Sequence, residues 1–393
     1  MSQQLISRNP DLKELRDEGY EIAIKSGHLV ISNVPYVNSQ KQVKRGTLVS
    51  QLDLAGDMTT KPGTHVAMFA GERPCDKEGR ILTKIKNQST RQQICDDLYI
   101  DHSFSSKPKE GYRDYHHKMT TYIAIISGHA EAIDPNATAR TFCVIALDDP
   151  DSVFNYIDTA SSRAEITAVS KKLDGANVAI IGAGGTGAYI LDLVAKTPVK
   201  EIHLFDGDDF LQHNAFRSPG AASIDELKRK PKKVDYLRDM YSAMRKNIFA
   251  NSFHIDKSNV EHLQGMDFVF LCIDVGEAKR PIIEKLEELG IPFIDVGMGV
   301  EVVDEQLLGL LRVTTSTADK RNHVRDKKRI NLSGGYDDNV YSKNIQIADL
   351  NALNAALAVI KWKKLFGFYA DLEKEHYSIY SIDGNVIMNE DKS

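Results

Sequence analysis

Short apolar runs separated by helix-length segments dominate the second half of the chain. Val178-Ala179-Ile180-Ile181, Ile202-His203-Leu204-Phe205, Phe268-Val269-Phe270-Leu271-Cys272-Ile273 and Pro292-Phe293-Ile294-Asp295-Val296 read as strands, with another near Leu307–Leu311. Strands alternating with helices predict an α/β fold, a mostly parallel sheet with an antiparallel extension. Near the end, Leu350, Leu353, Leu357 and Ile360 recur at helical spacing and are expected in core or dimer packing. The first half differs. His28–Pro35 and Thr64–Phe69 are strand-like and punctuated by Gly, Pro and Asn, which predicts a β-rich α+β domain. The hydrophilic stretch Asp148-Asp149-Pro150-Asp151-Ser152 places the boundary, giving domains 1–150 and 151–393.

The first of the second-half strands runs into Gly182-Ala183-Gly184-Gly185-Thr186-Gly187, then an apolar helix, then a strand ending at Asp206. This is the pattern of a nucleotide-binding βαβ unit, so the sheet is expected to be Rossmann-like. Glycines let the backbone approach phosphate oxygens that a Cβ would strike. The helix beginning near Gly185 points unpaired N–H groups and the positive end of its dipole at the same place. A carboxylate at Asp206 can accept hydrogen bonds from ribose hydroxyls. The residues beyond Asp206 do not suit hydride transfer. Asp206-Gly207-Asp208 leads to Asn214, Arg217 and Lys230-Pro231-Lys232, and the strand from Phe268 ends at Asp274. An Arg and a Lys can hold ATP phosphates and an Asp can hold Mg²⁺. Plainer readings exist for each: a turn kept for helix–strand packing, solvated charges at Arg217 and Lys232, a turn residue at Asn214, a helix cap at Asp274.

Residues from about 160 to 390 resemble the ThiF/MoeB/HesA family, bacterial relatives of ubiquitin-activating enzymes. The resemblance rests on Gly182, Gly184, Gly185, Gly187, Asp206, Asn214, Arg217, Lys232 and Asp274 in the family's order. It implies adenylation of a protein C-terminal carboxylate by ATP, with release of pyrophosphate. Asp206 and Asp208 would then lie at the nucleotide, with Asn214, Arg217 and Lys232 on its phosphates and Asp274 on Mg²⁺. The interval from Arg217 to Lys232 is about two residues longer than the family's, which leaves Lys230 and Lys232 both open for the phosphate role. The resemblance also implies a homodimer, with Arg163, on a predicted helix before the first strand, reaching the partner subunit's ATP site. The first half resembles an uncharacterised domain fused to ThiF-like modules in bacteria. That context implies a ubiquitin-like or sulfur-carrier-like partner and a conjugation-enzyme partner. Adenylation of a peptide or a tRNA base, and a non-catalytic scaffold, are the alternatives.

Composition narrows this further. The net charge of −5 and the lack of a basic stripe with aromatics give no reason to expect nucleic acid binding. No apolar run approaches the length of a membrane span, and a cytoplasmic setting is expected. The four cysteines, Cys75, Cys95, Cys143 and Cys272, form no CxxC, so no zinc is expected. None follows Cys272, so the stretch where a thioester cysteine would be sought lacks one. Cys272 itself is expected to be inert core. The basic run Lys320, Arg321, His323, Arg325, Lys327, Lys328, Arg329 is expected to be a mobile solvated loop, or a clamp on a substrate's tail. Asp101 to Lys107 and His116-His117 place Ser, His and Asp together in sequence, but without a nucleophile elbow.

Overall fold

The computed structural model describes residues 2–145, 152–274, 276–332 and 345–392, apart from the side chain of Ser2. The chain divides into two compact units, Met1–Ile145 and Ala146–Ser393. The hydrophilic boundary residues 148–151 lie outside the described residues. No helix among the described residues is long and apolar enough to cross a membrane.

The first unit opens with helices α1, Ser2–Arg8, and α2, Pro10–Asp17. A meander comes next: β1 Glu21–Lys25, β2 His28–Val37 and β3 Val43–Gln51. The short pair β4 Leu54–Ala55 and β5 Met58–Thr59 precedes β6 Val66–Ala70 and β7 Lys86–Gln88. A second pair, β8 Gln92–Cys95 and β9 Leu98–Ile100, leads to β10 His102–Ser105. The main sheet is antiparallel throughout, in the order β1-β2-β3-β6-β10-β7. Helix α3, Tyr115–Glu131, is started by Asp114, whose side chain accepts from the His117 N–H. It packs Tyr115, Met119, Tyr122 and Ile126 against Leu29, Ile31, Leu48 and Phe69 of the sheet. Each such fully buried side chain contributes about 1.5–3 kcal/mol. The Ser, His and Asp residues do not assemble. His65 meets Ser105 at 3.0 Å, Asp101 accepts from the Gly71 N–H, and His116 pairs with Glu18 at 3.1 Å.

The second unit begins with short helices α4, Thr159–Arg163, and α5, Thr167–Ser170. Then come β11 Asn177–Ile181, α6 Gly185–Ala195, β12 Glu201–Phe205, α7 Gln212–Ala215, α8 Ile224–Arg229, α9 Lys233–Ser242 and β13 Ile248–Asn251. Strand β14 Phe268–Leu271, helix α10 Gly276–Leu289, and the long hairpin β15 Phe293–Val303 and β16 Gln306–Ser316 continue the chain. Helices α11 Asn322–Asp326 and α12 Ala348–Leu365 and strands β17 Tyr377–Ser381 and β18 Val386–Glu390 complete it. The sheet order is β13-β12-β11-β14-β15-β16-β17-β18. The first five strands pair parallel and the last three add antiparallel.

The apolar runs are continuous because both faces are covered. Val178, Ile180, Leu204 and Phe270 face α6, α9 and α12. Ala179, Ile181, Val269 and Leu271 face α10. The chain reverses its direction of progress across the sheet between β11 and β14, which opens a crevice at their carboxyl ends.

The structure refines two expectations. On α12, Leu350 is buried and Leu353 and Leu357 are partly buried against the core, as the helical spacing predicts, while Ile360 is exposed. The buried face also carries Asn351, Asn354, Ala355, Ala358, Val359, Lys361 and Trp362, and its small residues allow close approach to α6. The basic run is solvated at Arg325, Lys327 and Lys328, but it includes helix α11 and is tied down by ion pairs. Arg325 pairs with Glu287 at 2.6 Å, and Lys327 and Arg329 both pair with Asp391. Arg329 also lies 3.8 Å over the Tyr377 ring, and His323 is buried. Residues 333–344, which follow the basic run, lie outside the described residues.

Candidate nucleotide site

The glycine turn is built by sterics. Gly182 has φ +92°, and a Cβ there would lie 2.5 Å from the Cys272 carbonyl oxygen. A Cβ at Gly187 would lie 1.9 Å from the Gly182 carbonyl oxygen, and one at Gly185 would lie 2.0 Å from Asn351 Nδ2. Gly184 is different: a Cβ there meets nothing within 4 Å. Three of the four glycines are thus demanded by the protein's own packing, and the fourth is not. Gly184 is the N-cap of α6 and offers no capping side chain, so the first N–H groups of that helix are available to an anion.

Asp206 closes onto this turn. Its Oδ2 accepts from the Ala183 N–H at 2.8 Å and its Oδ1 from the Asp208 N–H at 2.9 Å. It is buried, and its remaining lone pairs suit ribose hydroxyls. Lysines gather beside it. Lys233, the first residue of α9, lies 2.6 Å from Asp208 and 3.6 Å from Asp206. Lys232 donates to the Gly207 carbonyl at 2.9 Å and pairs with Asp209 at 2.8 Å. Lys230 is the exposed left-handed cap of α8, with φ +46°. The hydrogen bond from Lys233 holds the Asp208 carboxyl below its ordinary range, and Asp209 raises the Lys232 ammonium. His254 completes the cluster, 3.4 Å from Asp208.

The other expected residues lie around the crevice. Asn214 is buried, and its Oδ1 accepts from the Leu211 N–H at 2.8 Å, so it caps α7. Arg217 lies three residues on, with an enclosed Nε that makes no hydrogen bond among the described residues. Asp274 is exposed, two residues beyond Cys272, and accepts from Gln346 at 3.4 Å. Arg163 is exposed at the end of α4, and no hydrogen bond or ion pair among the described residues ties it to the crevice of its own chain. The residues fit a nucleotide: a helix N-terminus and a buried carboxylate meet at the glycine turn, and Asn351 ties the backbone of Arg217, whose Nε is unbonded among the described residues, to the same helix. A single exposed carboxylate at Asp274 suits Mg²⁺, which keeps most of its waters and takes one or two carboxylates.

Sequence reasoning passed over several residues here. Lys233 could have been found, since it shares a helical face with Leu237 and Tyr241. Asn351 lies in phase with Ala355, Ala358 and Trp362 on the buried face of α12. Asp295, fully buried on β15, is gripped by Lys279 and Arg312 at 2.6 Å each. Asp295 also acts on Cys272, whose thiol is pushed up by burial first and then by the Asp295 charge. Burial also raises Cys75.

Two family models match the chain. Residues 10–159 match a domain of unknown function (DUF6791), and residues 164–304 match the ThiF family. Ubiquitin-like modifier-activating enzyme 5 of Culex quinquefasciatus is 22% identical over 202 residues, 47% of this chain and 45% of that protein. The chain thus spans less than half the length of this curated relative. Among solved structures, E. coli MccB with ATP is similar at 18% identity and TM-score 0.45, over 57% of this chain and 66% of that one. PaaA is similar at 21% identity and TM-score 0.44, over 57% and 75%. Residues 164–304, which hold the glycine turn, Asp206, both lysines and Asp274, form a ThiF family domain.

Proposed function

We propose that the second unit adenylates a carboxylate. A carboxylate oxygen attacks the α-phosphorus of ATP, the bond to the bridging oxygen breaks, and the products are an acyl-adenylate and pyrophosphate. The observation that carries this reading is the pair Lys232 and Lys233 among the carboxylates of Asp206, Asp208 and Asp209, with Asp206 closing onto the turn at Gly184. Attack brings two anions together, so fixed cations that meet the growing charge lower the barrier. Asp206 holds the ribose. Arg217 and the lysines hold the phosphates, with Lys233 the better placed because it is buried and already at Asp208. Asn214 fixes the start of α7 and with it the approach of Arg217. Asp274 would hold Mg²⁺, which offsets phosphate charge.

The carboxylate we assign is the C-terminus of a ubiquitin-like or sulfur-carrier-like protein. Support comes from the ThiF match together with the similarity to a ubiquitin-like modifier-activating enzyme. Onward transfer is assigned to an external nucleophile or to a cysteine of the first unit, where Cys143 is exposed and Cys95 half-buried; burial raises the Cys272 and Cys75 thiols and disfavours them as nucleophiles. Exposed Arg163 is proposed to act on the partner site of a homodimer.

The test is ATP–pyrophosphate exchange with small proteins ending in glycine as carboxylate donors. Exchange dependent on such a donor is expected. Lys233→Met should lower it by about 100-fold or more, as loss of a transition-state cation does, while Lys230→Ala should leave it within about twofold. Equal losses at the two lysines, or no donor-dependent exchange at all, would reject the assignment.

A further inference from the structure

Helix α12 enters this site from the far end of the domain. Its first turns reach three elements of the crevice. Thr186 Oγ1, in the first turn of α6, donates to Asn351 Oδ1 at 3.0 Å. Asn351 Nδ2 donates to the Arg217 backbone carbonyl at 3.3 Å. Three residues on, Asn354 Nδ2 donates to the Gly297 carbonyl of β15 at 3.0 Å. Just before the helix, Gln346 Nε2 donates to Asp274. Asn351 and Asn354 are both buried, on a helix whose other buried residues are Leu350, Ala355, Ala358, Val359, Lys361 and Trp362.

A buried amide among apolar neighbours costs stability unless it is hydrogen-bonded, so its retention calls for a task. Here the task is visible in the bonding. The Asn351 carboxamide is a bridge with one end on the phosphate-facing helix and the other on the segment bearing Arg217. Its fit is close: a Cβ on Gly185 would lie 2.0 Å from Asn351 Nδ2, so the glycine at the start of α6 is also the space into which the amide fits. The Arg217 guanidinium gains little from this protein's own side chains, since its Nε is enclosed and unbonded among the described residues. Its position is therefore fixed through the backbone, and Asn351 holds that backbone.

We propose that Asn351 is a positioning residue for the phosphate end of the nucleotide, setting the distance between Arg217 and the N-terminus of α6. The proposal rests on the nucleotide reading given above. It separates two functions within the site. Asp206 and its neighbours select the nucleoside, and the α12 bridge sets the grip on phosphate. Thr186 takes part as the donor that orients the amide, so that its Nδ2, not its Oδ1, faces the Arg217 carbonyl.

The test is calorimetric titration of the full-length protein with MgATP and, separately, with adenosine. For Asn351→Ala, MgATP affinity should fall by about tenfold, in line with loss of a bridging pair of hydrogen bonds, while adenosine affinity stays within about twofold. Thr186→Val should show the same selective loss in smaller degree, and Thr186→Ser should restore wild-type behaviour. Should Asn351→Ala fail to fold, the Thr186 pair decides the matter alone. An unchanged MgATP affinity, or equal losses for MgATP and adenosine, would overturn the positioning role while leaving the nucleotide reading in place. A wild-type protein that binds neither ligand would overturn both.

Discussion

Lys118 shows what burial does to a single charge. Its ammonium is fully enclosed in the first unit, donating to Ser50 Oγ and the Thr64 carbonyl at 2.8 Å each, with no ion pair to a carboxylate among the described residues. Burial pushes its pKa down from 10.5 to about 8. Between these values the unfolded chain carries a proton that the folded chain lacks, so stability rises with pH across that window. The penalty is fully present below pH 8 and amounts to ~3 kcal/mol. Urea unfolding at pH 7.5 and pH 10 should therefore show wild type gaining on Lys118→Met at the higher pH; parallel changes in the two proteins would show that Lys118 is not the group responsible. At this scale, legibility follows sequence distance. The turn at Gly182 and the acid at Asp206 belong to one local βαβ pattern and could be read directly. Asn351 could not, because its partners Thr186 and Arg217 lie 165 and 134 residues away. Lys233 adjoins Lys232, one of the two lysines that the sequence leaves open, and is distinguished only by helical phase.

Among elements, the strands of the second unit were legible because two-sided burial writes itself as uninterrupted apolar runs. On helix α12 the leucine spacing marks a packed side, with Leu350 buried and Leu353 and Leu357 partly so, but it does not reveal the neighbouring face of Asn351, Ala355 and Ala358, whose small residues let α6 approach. The ion pairs of the basic run are hidden for a related reason: their acidic partners, Glu287, Glu390 and Asp391, come from elsewhere in the chain. The α12 face makes a quantitative expectation. Ala355 is fully buried there, and Ala355→Leu should destabilise the protein by about 1–3 kcal/mol through overpacking. Denaturant midpoints at constant m-value would measure it, and a neutral result would mean that the α12–α6 contact has room to spare.

For the whole molecule, two domains were expected, and the chain forms two compact units whose large buried clusters each lie within one unit. The first unit's role was not legible, since its one chemical-looking stretch disperses into separate local hydrogen bonds. Separate cores lead to a calorimetric expectation. MgATP at 100 times its dissociation constant adds about 2.7 kcal/mol to whatever folds around it. Scanning calorimetry should show that increment in the transition of the second unit and leave the first unmoved; a single transition shifting as a whole would show that the two cores melt together.

The buried trio of Lys279, Asp295 and Arg312 has a consequence for how the second unit reaches its fold. Asp295 stands where the sheet changes character, opposite Leu271 in a parallel pair and Thr314 in an antiparallel one. A slip of β15 by one residue would turn its side chain to the opposite face, where Val178, Ile180, Ala355 and Val359 pack. A carboxylate stranded there would cost several kcal/mol. Two cations from α10 and β16 therefore act as an error check on assembly: only the alignment that brings the ends of β11, β14 and β15 to one crevice satisfies all three charges at once.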